Sequence, residues 1–163
     1  MTRRYARSPK GKRAHGDAPK NWGDSVSLAA GIGLRGLVAP LVLRGSMTGA
    51  AFEAYIEQFV LPEVRPGDML VWDNLGAHKT KGVRKLVEKA GASIVFLPPY
   101  SPDLNPIELA WSKVKSILRS YAARSWDDLI DAVVAALSAV TSDDIAHWIR
   151  HCGYRLQGHG KRH

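Results

Sequence analysis

The spacing of apolar positions changes several times along the chain, and each change marks an element. Residues 1–24 mix Arg, Lys, Gly and Pro with no period, which predicts an arm or loop. Residues 25–34 and 37–43 are short apolar runs separated by Arg35-Gly36, the pattern of a β-hairpin. Gly45 and Gly49 end the second strand. From Ala50 the period lengthens. Phe52, Tyr55, Ile56, Phe59 and Val60 fall at i, i+3, i+4, i+7 and i+8, one face of a helix, and Pro62, Pro66 and Gly67 close it. Residues 69–72 form a compact apolar run that predicts a buried strand ending at Asp73. Residues 78–90 read as a helix burying Val83, Leu86, Val87 and Ala90, with Gly91 where a C-terminal cap belongs. Residues 93–97 read as another buried strand. A strand, helix and strand over residues 69–97 make a βαβ unit, so those two strands should be parallel.

Pro98-Pro99 and the pair Pro102 and Pro106 enclose a stiff loop. A helix is expected over 106–120, with Ile107, Trp111, Val114 and Leu118 facing the core. Ser125 with Asp128, and Thr141 with Asp144, have the spacing of capping boxes, opening one helix to about residue 140 and a last one that stops near Gly153. The expected class is α/β, a mixed sheet flanked by helices. The chain divides into a basic arm (1–24), one domain (25–153) and a basic tail (154–163).

Composition narrows the function classes. With 163 residues and 45% apolar content the chain can bury an ordinary core. One cysteine allows no internal disulfide and no cysteine zinc cluster, which suits a reducing cytosol. No apolar run approaches the roughly 20 residues of a membrane span, and no apolar segment follows the basic N-terminus as in a signal peptide. The net charge of +8 is uneven: +6 in residues 1–20, +4 in 150–163 and −2 between. Basic arms on a near-neutral body fit a polyanion such as nucleic acid.

Two carboxylates carry the candidate chemistry. Asp73 ends a buried strand, where open α/β sheets hold catalytic groups. Glu108 lies in the first turn of the helix after the proline loop. It heads a stripe with Ser112, Lys115 and Arg119 at i+4, i+7 and i+11. An acid above a basic and hydroxylic line suits a metal ion at the top and phosphate below. Each feature also has a plain structural reading: a strand-end Asp holding the next turn, and an ordinary helix face with acid at its N-terminus and base at its C-terminus.

The segment 71–79 (Val-Trp-Asp-Asn-Leu-Gly-Ala-His-Lys) and the segment 97–108 (Leu-Pro-Pro-Tyr-Ser-Pro-Asp-Leu-Asn-Pro-Ile-Glu), followed by Trp111 and Lys115, resemble the DDE transposases of the IS630/Tc1/mariner superfamily, the bacterial IS630 branch above all. Thirty-four residues separate Asp73 from Glu108, the DD34E spacing. The resemblance extends over residues 4–13 and the C-terminal helices. It implies an RNase H-like fold and metal-dependent DNA strand cleavage and strand transfer in the transposition of an insertion sequence. It implies that Asp73 and Glu108 are the second and third catalytic carboxylates, holding two Mg²⁺ or Mn²⁺ ions in a complete site. The partners it implies are transposon-end and target DNA and a second copy of the chain, in a bacterial cytoplasm at the nucleoid.

The same resemblance places a first Asp on a central strand upstream of the 4–13 stretch. Neither Asp17 nor Asp24 follows an apolar strand. The first strand and its carboxylate are therefore expected to be missing here, with weak metal binding and negligible cleavage. The alternative function is then a catalytically inactive, truncated DNA-binding remnant. Asn74, His78, Lys79 and Asn105 are expected beside the substrate. Asn105 also suits the N-cap before Pro106 at the first helical position. Arg3, Arg4, Arg7, Lys10, Lys12, Arg13, Lys115 and Arg119 are the expected DNA contacts. Asp103 reads as structural and Cys152 as a core thiol.

Overall fold

The computed structural model describes residues 7–13 and 25–156. Strands β1 (Val26–Gly33) and β2 (Gly36–Arg44) form the expected antiparallel hairpin, with Ile32 opposite Leu37 and Val26 opposite Arg44. The turn is Leu34-Arg35, one residue earlier than the sequence indicated, and Gly36 follows it at φ 142°, a conformation open to glycine. The register slips between Ala29 and Gly31, and across from that slip Ala39 adopts φ 50°. The Tyr55 hydroxyl donates a 2.8 Å hydrogen bond to the Ala39 carbonyl and holds the irregularity in place. Burial pushes that hydroxyl up to about 12, so it stays a donor across the working pH range.

Helix α1 (Gly49–Tyr55) starts at Thr48, whose side chain accepts from the Ala51 amide. The chain then winds into a π turn over residues 56–60 and a 3₁₀ turn over 61–63. A π turn takes more residues per revolution than an α turn, so positions beyond it rotate off the buried face. Phe52, Tyr55 and Ile56 are buried as expected, whereas Phe59 is 42% exposed.

Strands β3 (Met69–Trp72) and β4 (Ser93–Phe96) are parallel, with Met69 opposite Ser93 and Trp72 opposite Phe96. The connecting helix α2 (Lys81–Lys89) starts later than the apolar period suggested. Residues 76–79 form a 3₁₀ turn, and Thr80 caps the helix by accepting from the Val83 amide. Gly91 ends it at φ 74°, and a Cβ there would press on Pro66 at 3.2 Å. The two strand pairs are separate two-stranded sheets rather than the one mixed sheet expected. Among the described residues no strand pairs with the second edge of β1 or of β3, so nothing bridges them.

Three helices complete the body: α3 (Pro106–Tyr121), α4 (Trp126–Ser138) and α5 (Ser142–His151). Both capping boxes form, Ser125 with Asp128 and Thr141 with Asp144. Two apolar clusters hold the layers together. One packs Phe52, Tyr55, Ile56, Val83 and Val87 against Ala29, Leu41, Leu70, Trp72 and Ile94. The other packs Val114, Ala136, Val140 and Ile145 against the opposite side of the hairpin at Leu28, Ile32 and Leu37. The hairpin is thus covered on both faces, and α3 is fixed relative to β3 through it.

Asp144 joins α5 to α3. Its carboxylate accepts from Lys113 Nζ at 2.6 Å and from the Thr141 amide at 2.9 Å. The Lys113 hydrogen bond first, and the Thr141 amide second, hold its pKa down at about 2. A carboxylate whose folded pKa is depressed stabilises the fold above its ordinary pKa and stops doing so as pH falls through the folded value. The melting-temperature difference between the wild type and Asp144→Ala is therefore expected to be constant at neutral pH and to shrink as pH falls from 3.8 to about 2. Thermal melts by circular dichroism across that window test it, and a difference as large at pH 2 as at neutral pH contradicts the assignment.

Candidate active site

Asp73 follows the last residue of β3. The two strand ends are locked there: the Leu97 amide donates to the Trp72 carbonyl at 2.8 Å, and the Asn74 side-chain amide donates to the Leu97 carbonyl. Asn74 therefore ties β3 to β4, a structural task that the sequence left open. Asp73 Oδ1 accepts from the Leu75 amide at 3.0 Å, so the strand-end Asp does hold the next turn. The same oxygen lies 2.8 Å from His78 Nδ1. Oδ2 has no hydrogen-bond partner among the described residues, which leaves one carboxylate oxygen available to a ligand.

His78 does not face solvent. Its side chain is 18% exposed, against 49% for Asp73. Its ring lies 4.5 Å from that of Phe52 and 5.8 Å from that of Trp72. Nδ1 is shielded from water and has no partner that meets the angular requirement of a hydrogen bond, despite its closeness to Asp73. His78 is thus placed behind the carboxylate, between aromatic rings, and backs Asp73 from the protein side.

Glu108 is exposed in the first turn of α3. Asn105 takes the N-cap position and Pro106 follows as expected, but the Asn105 side chain makes no capping hydrogen bond. Its carbonyl accepts from the Glu108 amide at 3.1 Å. Asp73, Asn74, Tyr100, Ser101, Asn105 and Glu108 line one cavity of about 170 Å³. The fold therefore brings the two carboxylates, with Asn74 and Asn105, to a single opening. These are hard oxygen donors, the kind that Mg²⁺ and Mn²⁺ prefer. Among the described residues no group of three or more Asp, Glu, His or Cys side chains is placed to hold a metal, so Asp73 and Glu108 would be two ligands of a site that needs further oxygen donors.

On its other side Glu108 borders a second cavity, of about 320 Å³, shared with Asp103, His151 and Cys152. Cys152 is buried, as expected; burial and then nearby Asp103 push its thiol pKa up, so it is no ready nucleophile. The Tyr154 hydroxyl donates to the Leu104 carbonyl at 2.8 Å and ties the start of the expected tail to the Glu108 loop. Those partners lie 50 positions apart in sequence, and no local pattern announces the contact.

The basic residues divide into three groups. On α3, Ser112, Lys115 and Arg119 are all exposed in line with Glu108. Beyond β4, Lys79 Nζ and the Arg84 guanidinium lie 5.6 and 5.4 Å from the Phe96 ring, next to the end of β3. The sequence places Lys79 beside the substrate, but nothing in it singles out Arg84. Its place over Phe96 depends on the strand register. Arg7, Lys10, Lys12 and Arg13 are exposed, whereas Arg3 and Arg4 lie outside the described residues.

Comparisons with known proteins agree with this architecture. A DDE superfamily endonuclease model matches residues 1–131, a span that includes both carboxylates. An uncharacterized protein, y4pE/y4sA, of Sinorhizobium fredii (strain NBRC 101917 / NGR234) is 33% identical over 69 residues, covering 42% of this chain and 49% of its own. The Mos1 strand transfer complex superposes with a TM-score of 0.68 at 15% identity, over 96% of this chain and 51% of that one. The Mos1 transposase paired-end complex with left transposon end gives 0.71 at 14% identity, over 93% and 47%. The catalytic domain of Mos1 mariner transposase gives 0.60 at 15% identity, over 77% and 67%. The chain spans about half the length of the first of these relatives. The strand pairs, the crossover helix and the helix that carries Glu108 in its first turn together form an RNase H-like α/β fold, and the chain belongs to the DDE superfamily endonucleases.

Proposed function

We propose that this chain is the catalytic domain of a transposase of the Tc1/mariner type, from the IS630 branch of insertion sequences, acting on DNA phosphodiesters with divalent cations. The observation that carries this reading is the convergence of Asp73 and Glu108, with 34 residues between them in sequence, on one cavity. Family membership and the fold shared with Mos1 transposase, one of whose paired-end complexes is described with Mn, support it.

Asp73 and Glu108 would hold Mg²⁺ or Mn²⁺, two ions in a complete site. Bound there, the metal supplies charge for the nucleophile and the leaving oxygen of an in-line attack on phosphorus. The chain's own residues fix the geometry. The Leu75 amide holds Asp73, His78 packs behind it, Asn74 keeps the β3 and β4 ends together, and α3 presents Glu108 from a rigid helix. Lys115 and Arg119 on one flank, and Lys79 and Arg84 on the other, take DNA phosphates. Arg7, Lys10, Lys12 and Arg13 of the arm add unspecific affinity. A chain that acts on chromosomal DNA would work in the cytoplasm at the nucleoid. No helix among the described residues is long and apolar enough to cross a membrane. A second copy of the chain is the proposed assembly partner, since joining two transposon ends needs two sites.

Fluorescence anisotropy of a labelled DNA duplex at increasing NaCl tests this. Affinity should fall steeply with salt, and Lys115→Ala/Arg119→Ala should reduce the log–log slope by about 2, near 0.9 for each phosphate that is no longer neutralised. Mn²⁺ should tighten the complex for the wild type but not for Asp73→Asn/Glu108→Gln. A wild-type chain that binds no DNA, or a Mn²⁺ effect that survives the double substitution, overturns the reading.

A further inference from the structure

Tyr100 stands apart from every other large side chain in the described structure. It is 101% exposed, so its ring touches almost nothing of the protein. Its backbone sits at φ 57°, in the left-handed region that a side chain with a Cβ rarely enters. It also lines the cavity that contains Asp73 and Glu108. The flanking chain forces the pose. Pro98-Pro99 precede it, Pro102 closely follows it, and a 3₁₀ turn over residues 102–104 leads to the start of α3, whose first turn holds Glu108. An exposed aromatic ring at a strained position gives nothing to the stability of the chain that carries it. Such strain persists where the surroundings impose it, and it concentrates at ligand contacts.

The geometry points to Tyr100 as a stacking platform for a nucleobase of the DNA strand whose phosphate enters the carboxylate cavity. This rests on the DNA reading above and deepens it. A phosphate placed between Asp73 and Glu108 brings its own nucleotide's base to the rim, where the ring stands. The ring offers a flat π face on a residue with two side-chain torsions, and every base has a matching face, so the contact holds the strand without selecting a sequence. The basic flanks cannot supply this. Lys115 and Arg119 neutralise phosphates, which fixes the backbone but leaves an unpaired base free to rotate. The N-terminus of α2 is no rival for the strand: Thr80 caps it, and the Glu53 carboxylate occupies the space beside Gly82. Tyr100 is thus a positioning residue for the strand, acting alongside the carboxylates rather than on them.

The test uses the full 163-residue chain and a DNA hairpin with a single-stranded 3′ overhang containing one 2-aminopurine, whose fluorescence is quenched by stacking. Wild type, Tyr100→Phe and Tyr100→Trp should quench the probe. Tyr100→Ala and Tyr100→Gly should not, and their affinity for the overhang should fall about tenfold, within the range expected of a single base stack. The salt slope should stay at the wild-type value in Tyr100→Ala, because no cation facing a phosphate is removed, in contrast to Lys115→Ala/Arg119→Ala. Tyr100→Gly should also melt higher than the wild type, since glycine adopts φ 57° freely, so stability and binding move in opposite directions. Equal quenching and affinity for wild type and Tyr100→Ala overturn the inference while leaving the DNA reading intact. A melting temperature that falls for both Tyr100→Ala and Tyr100→Gly overturns it as well, by showing the ring to be a packing group. A wild-type chain that binds no DNA removes both.

Discussion

Asp73→Asn is expected to weaken the already low Mn²⁺ affinity of a two-carboxylate site by about tenfold or more, because even the loss of an outer-shell partner of a metal ligand costs roughly 10–100-fold and this change removes a ligand's charge. The substitution isolates charge from shape. Asparagine keeps an oxygen that can accept from the Leu75 amide, so the turn after β3 can still form. It lacks the second anionic oxygen that Asp73 leaves without a protein partner. Asp73 is also half-exposed and lies outside both apolar clusters, so its replacement should leave the melting temperature within about 1 °C of the wild type, as expected of a surface position. Glu108→Gln should behave alike, because Glu108 shares the cavity and is exposed at the helix start. Asp103→Asn is the internal control: Asp103 borders the neighbouring cavity with Cys152, not the one that contains Asp73. Free Mn²⁺ measured by electron paramagnetic resonance gives the affinities directly. If Asp103→Asn lowers them as much as Asp73→Asn does, the metal position lies elsewhere.

Ile145→Ala carries the largest expected cost in stability. Ile145 is completely buried in the cluster that joins α5, α4 and α3 to the hairpin, and it belongs to the same core as Val114, Ala136 and Val140. Truncating a fully buried Ile removes transfer free energy and leaves a cavity, about 2–5 kcal/mol together. In a chain of this size that lowers the melting temperature by on the order of 10 °C. Val134→Ala on the neighbouring helix α4 is the contrast. Val134 is 58% exposed, so its truncation should stay within about 0.5 kcal/mol. Because α3 carries Glu108 and leans on this cluster, Ile145→Ala should also weaken Mn²⁺ binding, whereas Val134→Ala should not. Urea titrations followed by circular dichroism measure the first effect. Equal losses for the two variants would mean that the second cluster does not hold the helices.

The local elements were legible because each rests on interactions within a few residues. The capping boxes at Ser125 and Thr141 need only a hydroxyl and an acid three positions apart, and both form. The parallel pairing of β3 and β4 follows from the length of the crossover. The hairpin turn moved by one residue because two adjacent two-residue turns fit the same apolar pattern. Phe59 left the core because a π turn changes the angular period, and no spacing of apolar residues distinguishes a π turn from an α turn in advance. Asn105 reached the cap position without making the cap, since residue type and spacing fix the position but not the side-chain torsion that the bond needs.

By itself the sequence determined which residues are the candidates: two carboxylates with 34 residues between them, one ending a strand and one in the first turn of a helix, and the motifs around them that mark the family. Tertiary structure decided how those residues are used. The hairpin, covered on both faces, sets the distance between β3 and α3, and so brings Asp73 and Glu108 to one cavity. Packing turned His78 inward between Phe52 and Trp72, placed Arg84 over Phe96, and bound Tyr154 to the Glu108 loop. The physical reason is range. Capping, period and turn chemistry are decided within one or two turns of chain, whereas the direction in which a side chain faces depends on partners that only the folded chain brings near.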